Sequence, residues 1–330
     1  MVISMTTFRS DMKYLSVCSG IEAVTVAWKP LGWQPVAFSE IEKFPSQVLA
    51  HHYPDVPNLG DMTKFQEWKH ESIDIFVGGT PCQSFSVAGL RKGLADPRGN
   101  LMLTYLAIAE RYRPQWMVWE NVTGVLSSNE GRDFGTFLAA LAECGYGFAY
   151  RVLDAQYFGV AQRRRRVFVV GYHGDWRPAA AVLFERESLS GHPAPSREKG
   201  KNIAKCLTRG AMQRFDSETD TMIPVYGIQG NWIGRAPENG GNATEPMNQI
   251  APCLTKTDRH GVAQPTAVRR LTPVECERLQ GFQDGYTDIK QNDKDTPDGP
   301  RYKALGNSMA VPVMQWIGQR IQMVEDLCKK

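Results

Sequence analysis

Between residues 14 and 172, short and nearly unbroken apolar runs alternate with stretches of helical spacing. "YLSV" (14–17), "PVAFS" (35–39), "IDIFVGG" (73–79), "QWMVWEN" (115–121) and "RVFVVGY" (166–172) read as strands. Apolar residues at consecutive positions, rather than at every second one, mark strands covered on both faces. Between them, 40–51, 99–112 and 133–144 carry helical spacing, with Leu101, Tyr105, Ile108 and Tyr112 falling on one face. Strand–helix alternation implies right-handed βαβ crossovers and an α/β, doubly wound, mostly parallel Rossmann-like sheet. Such sheets bind ligands beyond the carboxyl ends of their strands, where Glu40, Cys82 and Glu120 all fall.

The pattern breaks after residue 185. From 186 to 268 Gly, Pro, Asn and Thr abound, and Phe215, Tyr226 and Trp232 are the only aromatics. A segment this poor in large apolar groups leans on a larger domain or orders on a partner. "AKCLTRG" (204–210) and "APCLTKTDRHG" (251–261) share a short core within it, too little for a repeat architecture. Helical order returns in "RRLTPVECERLQGF" (269–282), where Thr272 caps, Pro273 occupies the first position, Glu275 completes a capping box and Gly281 ends the turn. Over 311–330, Val313, Ile317, Ile321 and Val324 share a helical face that packs back on the first domain. The resulting division is 1–185, a second smaller domain at 186–285 with 186–268 as its variable core, and a returning segment at 286–330.

Composition narrows the setting more than the chemistry. Seven cysteines scattered singly through 330 residues argue for reduced thiols and a cytoplasmic protein rather than a disulfide framework. Cys206, Cys253, His192 and His260 include no closely spaced cysteine pair, so no structural metal is expected. There is no secretory signal pattern at the amino terminus and no apolar run of membrane-spanning length, so no membrane partner is expected. A net charge of +3 permits a polyanionic partner without requiring one.

Four stretches can carry chemistry. In "LSVCSGIEAV" a strand enters a turn at Gly20 and then a helix, and Glu40 lies twenty residues on with the reach to meet ribose hydroxyls. The full glycine fingerprint of a dinucleotide site is absent, so an adenosine without phosphates fits better. Cys82 follows Pro81 in a strand-to-loop position, with Gly78 and Gly79 allowing something large to approach; a thiol there needs a lowered pKa or an activated substrate to act as a nucleophile. Glu120 ends the apolar run "WMVW", a setting that favours its protonated form and a proton-donor role. "QRRRRVFVVG" feeds arginines into a buried strand, where they can serve phosphates or a carbonyl oxygen.

Together "CSGIEA", "GGTPCQSFS", "WENV", "QRRRRVFVVG", "RRLTPVECERLQGF" and "YKALGNSMAVPV" closely resemble, in order and spacing, the signature series of the DNA cytosine-5 methyltransferases, over 14–172 and 269–315. The resemblance implies a site-specific enzyme that flips a cytosine out of double-stranded DNA, attaches Cys82 to ring carbon 6 and directs a methyl group from S-adenosylmethionine to carbon 5, leaving S-adenosylhomocysteine. It makes Cys82, Glu120, Arg164 and Arg166 catalytic. It assigns the cofactor to Cys18, Ser19, Gly20 and Ile21, to Glu40 and Ile41, to Asp61 and Met62, to Gly79 and Pro81, and to Asn307 and Val311. Gln83, Ser86, Asn121, Arg163 and Arg165 fall to the substrate. The middle segment takes the place of the target-recognition domain, with Arg209, Arg214, Arg235, Lys256 and Arg259 as base or phosphate readers. Monomeric action and a cognate restriction endonuclease in the same system are further expectations.

The chain departs from the pattern in three places. Cys18 stands where an aromatic residue usually stacks on the cofactor, the glycine turn is thinned to "GIEA", and Arg165 replaces a common acidic residue. Two other readings are a tRNA cytosine-5 methyltransferase on the same fold, and a non-catalytic DNA-binding relative. The long middle segment favours DNA, and the intact Cys82 and Glu120 favour catalysis.

Overall fold

A computed structural model describes residues 11–69, 72–81, 101–185, 226–228, 247–248, 261–264, 267–290 and 296–328. The chain forms two compact units. One comprises Met1–Leu153, Arg165–His192 and Ser308–Lys330; the other comprises Asp154–Arg164 and Pro193–Asn307.

In the first unit the elements run β1 (Lys13–Val17), α1 (Ala23–Trp28), β2 (Gln34–Ser39), α2 (Lys43–His52), β3 (Ile75–Gly78), α3 (Leu101–Tyr112), β4 (Trp116–Val122), α4 (Arg132–Glu143), β5 (Tyr146–Asp154), β6 (Arg165–His173) and α5 (Arg177–Leu183). The strands form one sheet in the order β2-β1-β3-β4-β6-β5. β1 pairs in parallel with β2 and with β3, and β3 with β4, whereas β6 runs antiparallel to β4. The chain leaves β1 for one neighbour and later returns to the other side of it. That reversal of strand order opens a crevice at the carboxyl ends of β1 and β3.

Alternation along each strand divides the core between two helical layers. Leu15, Val17, Phe76, Met117, Trp119, Val167 and Val169 join α3 and α4 residues in one buried cluster. On the other face Tyr14 stacks edge-on against Trp28 of α1, and Trp116 reaches the final helix, α8 (Val311–Cys328), by donating its indole N–H to Glu325 at 2.8 Å. Trp28 and Trp33 tie the same helix down through the Met314 carbonyl and the Gln322 side chain, at 2.8 and 3.1 Å. Val313, Ile317, Ile321 and Val324 are all buried, as their spacing predicts. α3 is buried nearly all round rather than on one face, since Met102, Leu103, Leu106 and Ala109 are as inaccessible as Tyr105 and Ile108.

The second unit contains a four-stranded sheet ordered β10-β9-β7-β8 from β7 (Tyr226–Ile228), β8 (Met247–Asn248), β9 (Gly261–Gln264) and β10 (Ala267–Arg270), followed by α6 (Pro273–Gln280) and α7 (Asp298–Asn307). α6 starts with the expected capping box between Thr272 and Glu275 and ends at Gly281 with φ of 86°. Within this helix, the wholly buried Glu277 accepts from the Thr287 backbone N–H at 2.8 Å and pairs with buried Arg301 at 3.2 Å. No helix among the described residues is long and apolar enough to cross a membrane.

Candidate active site

Strand register brings the candidate residues into one row. Val17 pairs with Ser39 on one side and Gly78 on the other, and Gly78 pairs with Trp119. The next residue along each strand is therefore Cys18, Glu40, Gly79 or Glu120. The parallel pairing sets all four on the carboxyl edge of the sheet.

The turn between β1 and α1 is unusual in its backbone. Cys18, Gly20 and Glu22 all have positive φ, at 49°, 56° and 64°. Two of these are not glycine, a conformation that L-residues hold only when their surroundings compensate. For Glu22 the compensation is visible. Its side chain is wholly buried, with Oε2 accepting from Ser16 Oγ at 2.9 Å and Oε1 accepting from the Thr25 N–H and Oγ1, both at 3.1 Å. Tyr14 completes the cluster through its 2.6 Å hydrogen bond with Thr25 Oγ1. Burial pushes the Glu22 carboxyl from 4.5 up to about 7, with the nearby Glu40 charge acting the same way against the lowering effect of its hydrogen bonds.

Glu40 follows β2 and stays outside α2, so its carboxylate is free to turn toward β1. It accepts from the Gly20 N–H at 2.8 Å and from the Glu42 N–H at 2.7 Å. Ser19 laces the two strands together, its N–H donating to the Ser39 carbonyl at 3.2 Å. Ile41 beside it is 72% exposed, an apolar side chain left standing at the crevice. Ile21 is fully buried and lines the interior instead. Asp61 accepts from the N–H and the hydroxyl of Thr63, both at 2.9 Å, and Met62 lies buried with its sulfur 3.5 Å from the Cys18 thiol. Burial raises the Cys18 thiol to about 12, with Glu40 adding to the effect, which disfavours its thiolate form.

The second half of the row holds the loop that leads to Cys82. A Cβ on Gly78 would meet Val17 Cγ2 at 2.6 Å and the Val17 carbonyl at 2.7 Å, so close strand contact requires glycine. A Cβ on Gly79 would lie 3.1 Å from Glu120 Oε2 and 3.2 Å from Met309 Cε, so this backbone runs directly against the Glu120 carboxylate. Thr80 is clamped from both sides: its hydroxyl accepts from the Trp119 indole and its carbonyl from the Asn121 amide, each at 3.0 Å. Asn121, expected on the substrate side, thus has a structural partner, while Pro81 is exposed. Cys82, Gln83 and Ser86 lie outside the described residues. Glu120 is buried, and Arg166 Nε stands 3.3 Å from its Oε1.

The four arginines do not act as a block. Arg163 and Arg165 are exposed, Arg164 is buried and Arg166 half-buried, as alternation into a strand dictates. Within the second unit the Arg164 N–H donates to Asp154 Oδ1 at 2.9 Å and its guanidinium to the Gly306 carbonyl at 3.3 Å. Asn307 is the exposed last residue of α7 in that unit, whereas Val311 is the buried first residue of α8 in the other.

Two contributors escaped the sequence reading. Glu22 looked only like a lost glycine. Asn58 holds Glu40 from both sides, its Oδ1 accepting from the Glu40 N–H at 3.0 Å and its amide donating to the Glu40 carbonyl at 3.1 Å. Nothing in "PNLGD" marks that asparagine, because its partner comes from a different strand.

The crevice can be tested against possible ligands. A phosphate-binding turn leaves its N–H groups to an anion. Here the Gly20 N–H is engaged by Glu40, and Glu22 lies buried within the same turn. Phosphate is disfavoured, while a nucleoside with hydroxyls for Glu40 and an apolar ring against Ile41 fits.

Comparison with known proteins bears on the family and the fold. The family model for C-5 cytosine-specific DNA methylase matches residues 12–323. The chain is 37% identical, over 94% of its length, to a protein of Escherichia phage P1 named DNA N-6-adenine-methyltransferase, and it spans 61% of that relative. It is 29% identical to the type II methyltransferase M.NgoPII of Neisseria gonorrhoeae, covering 94% of each chain. The S. pombe Dnmt2 methyltransferase structure superposes with a TM-score of 0.67 over 97% of this chain and 100% of that one, at 16% identity, which speaks for the fold alone.

Proposed function

Because the chain belongs to the C-5 cytosine-specific DNA methylase family, we propose that it is a site-specific DNA cytosine-5 methyltransferase acting on double-stranded DNA. The observation that carries this reading is the approach of Gly79 to the buried Glu120 carboxylate, with Thr80 clamped by Trp119 and Asn121. That arrangement sets the residues that precede Cys82 in the chain beside an acidic group, which supports a reading in which a thiol and a proton donor act together on a pyrimidine.

The Gly20 turn, Glu40, Ile41 and Asp61 would hold S-adenosylmethionine, which would supply an electrophilic methyl group, with S-adenosylhomocysteine as the product. The chain's own residues make the base receptive. The Cys82 thiolate adds to ring carbon 6, and the displaced π pair makes carbon 5 nucleophilic. Glu120 donates or shares a proton at ring nitrogen 3, and Arg166 steadies Glu120. After methylation, a water molecule acting as base takes the carbon 5 proton, the C–H pair re-forms the double bond and Cys82 leaves as thiolate. Base flipping is required, because carbon 6 is inaccessible in a stacked duplex. The segment 186–268 would read the sequence, Arg164 would approach the base carbonyl, and a cognate endonuclease would complete a restriction–modification system of the kind that the type II name of the Neisseria relative suggests.

The name of the phage relative favours a second reading, methylation of the adenine N6 amine. An exocyclic amine brings its own lone pair and needs no covalent nucleophile, so that reaction leaves Cys82 without a task. Mass spectrometry of nucleosides, from DNA of a host without its own cytosine-5 or adenine-N6 methylation, separates the two. Expression of this chain is expected to produce 5-methylcytosine that Cys82→Ala abolishes. N6-methyladenine surviving in Cys82→Ala would replace the first reading with the second.

A further inference from the structure

The carboxylate of Glu22 does more than the local backbone asks of it. A helix amino terminus is capped well by neutral Ser, Thr or Asn, and a residue at φ of 64° is held most easily by glycine. Either solution would avoid burying an anion, which is unfavourable unless its charge is compensated. Glu22 is nevertheless 0% exposed. Its hydrogen-bond partners are the neutral Ser16 and Thr25, and no cation among the described residues forms an ion pair with it. The ionisable groups that interact with it are Tyr14 from β1 and Glu40 from the end of β2, neither of them a source of positive charge. The turn that contains it also presents Gly20 to Glu40 at the mouth of the crevice.

We propose that Glu22 is a specificity-determining residue that biases the crevice toward a permanently cationic ligand over its neutral counterpart, and so toward the sulfonium substrate over the thioether product. The inference rests on the cofactor assignment above. A buried charge interacts through a poorly screening medium, so its field reaches a ligand it does not touch. S-adenosylmethionine and S-adenosylhomocysteine share the adenosine and amino-acid parts that direct contacts would hold. They differ in one methyl group and one positive charge. Preference for the cation favours release of the neutral product after each turnover.

Isothermal calorimetry with both ligands at pH 8.5, on the whole chain and on Glu22→Gln, tests the charge without changing the shape. Loss of the carboxylate is expected to weaken S-adenosylmethionine binding about tenfold, equivalent to about 1.4 kcal/mol, and to change S-adenosylhomocysteine binding less than twofold. Glu22→Gly, which relaxes the backbone, is expected to shift the ratio of the two affinities by a similar factor even if it weakens both, and it decides the matter if the glutamine variant does not fold. Equal weakening of both ligands in both variants would make Glu22 a shaping residue only and overturn the inference. A wild-type chain that binds neither ligand would refute the cofactor assignment itself.

Discussion

The same glutamate makes a stability prediction that needs no ligand. Its carboxyl titrates near 7 in the folded chain, against 4.5 ordinarily. The folded state therefore keeps a proton that the unfolded state has released. Between about pH 4.5 and 7 the folded chain binds more protons, so the stability contributed at this site falls as pH rises and levels off above 7. A shift of this size corresponds to about 3 kcal/mol over the whole window, of which about 2 kcal/mol is lost between pH 5.5 and 8.5. Glu22→Gln keeps the size and an acceptor for Thr25 but carries no charge. Urea unfolding of both proteins, followed by tryptophan fluorescence at the two pH values, isolates the site together with its coupling to Glu40 and Tyr14, because more remote titrating groups cancel in the difference. The variant is expected to gain on the wild type by about 2 kcal/mol as pH rises from 5.5 to 8.5, with unchanged denaturant sensitivity. A difference that stays constant within about 0.5 kcal/mol would refute the reasoning, because it would mean that Glu22 titrates as an ordinary solvated carboxylate.

Three other outcomes follow from packing. Gly78→Ala drives a methyl group into Val17 and its carbonyl, so thermal or urea unfolding should show a loss of about 1–3 kcal/mol. Asn121→Ala frees the Thr80 carbonyl, two residues before Cys82 in the chain; on the proposed function, methylation assays should show kcat reduced on the order of 100-fold with S-adenosylmethionine binding by calorimetry unchanged. Arg301→Leu strands the wholly buried Glu277, and urea unfolding should show a loss of about 3–5 kcal/mol.

What the sequence revealed and what it concealed divide along a physical line. Strands covered on both faces announce themselves, because burial demands apolar residues at every position; all five apolar runs correspond to strands of the sheet. β5 was missed because Tyr146–Asp154 alternates irregularly between buried, half-buried and exposed at the sheet edge. Without it, the reversal that makes β6 antiparallel to β4 could not be anticipated, since β6 follows β5 with no crossover α-helix between them. The short strands of the second sheet, such as "YGI" and "GVAQ", carry too few apolar residues to stand out. Caps are legible for the opposite reason: Thr272 and Glu275 satisfy each other within four residues, so the whole interaction is written locally.

The site shows the same division within a few residues. Gly78 is legible as a place where chains come close, although the sequence does not say that Val17 is the neighbour. Glu40 is legible by its distance from the turn, and the 2.8 Å contact with the Gly20 N–H makes that spacing concrete. Glu22 is the instructive failure. Judged by residue type, a glutamate in place of glycine weakens a nucleotide turn. In the fold it occupies the left-handed conformation that glycine would have used, and it spends its side chain on Ser16 and Thr25 to hold that conformation. A phosphate ligand would be repelled by such a turn, whereas a cation would be drawn to it. The missing glycines therefore carry information about the sign of the ligand's charge, and only the burial of the carboxylate makes that sign readable.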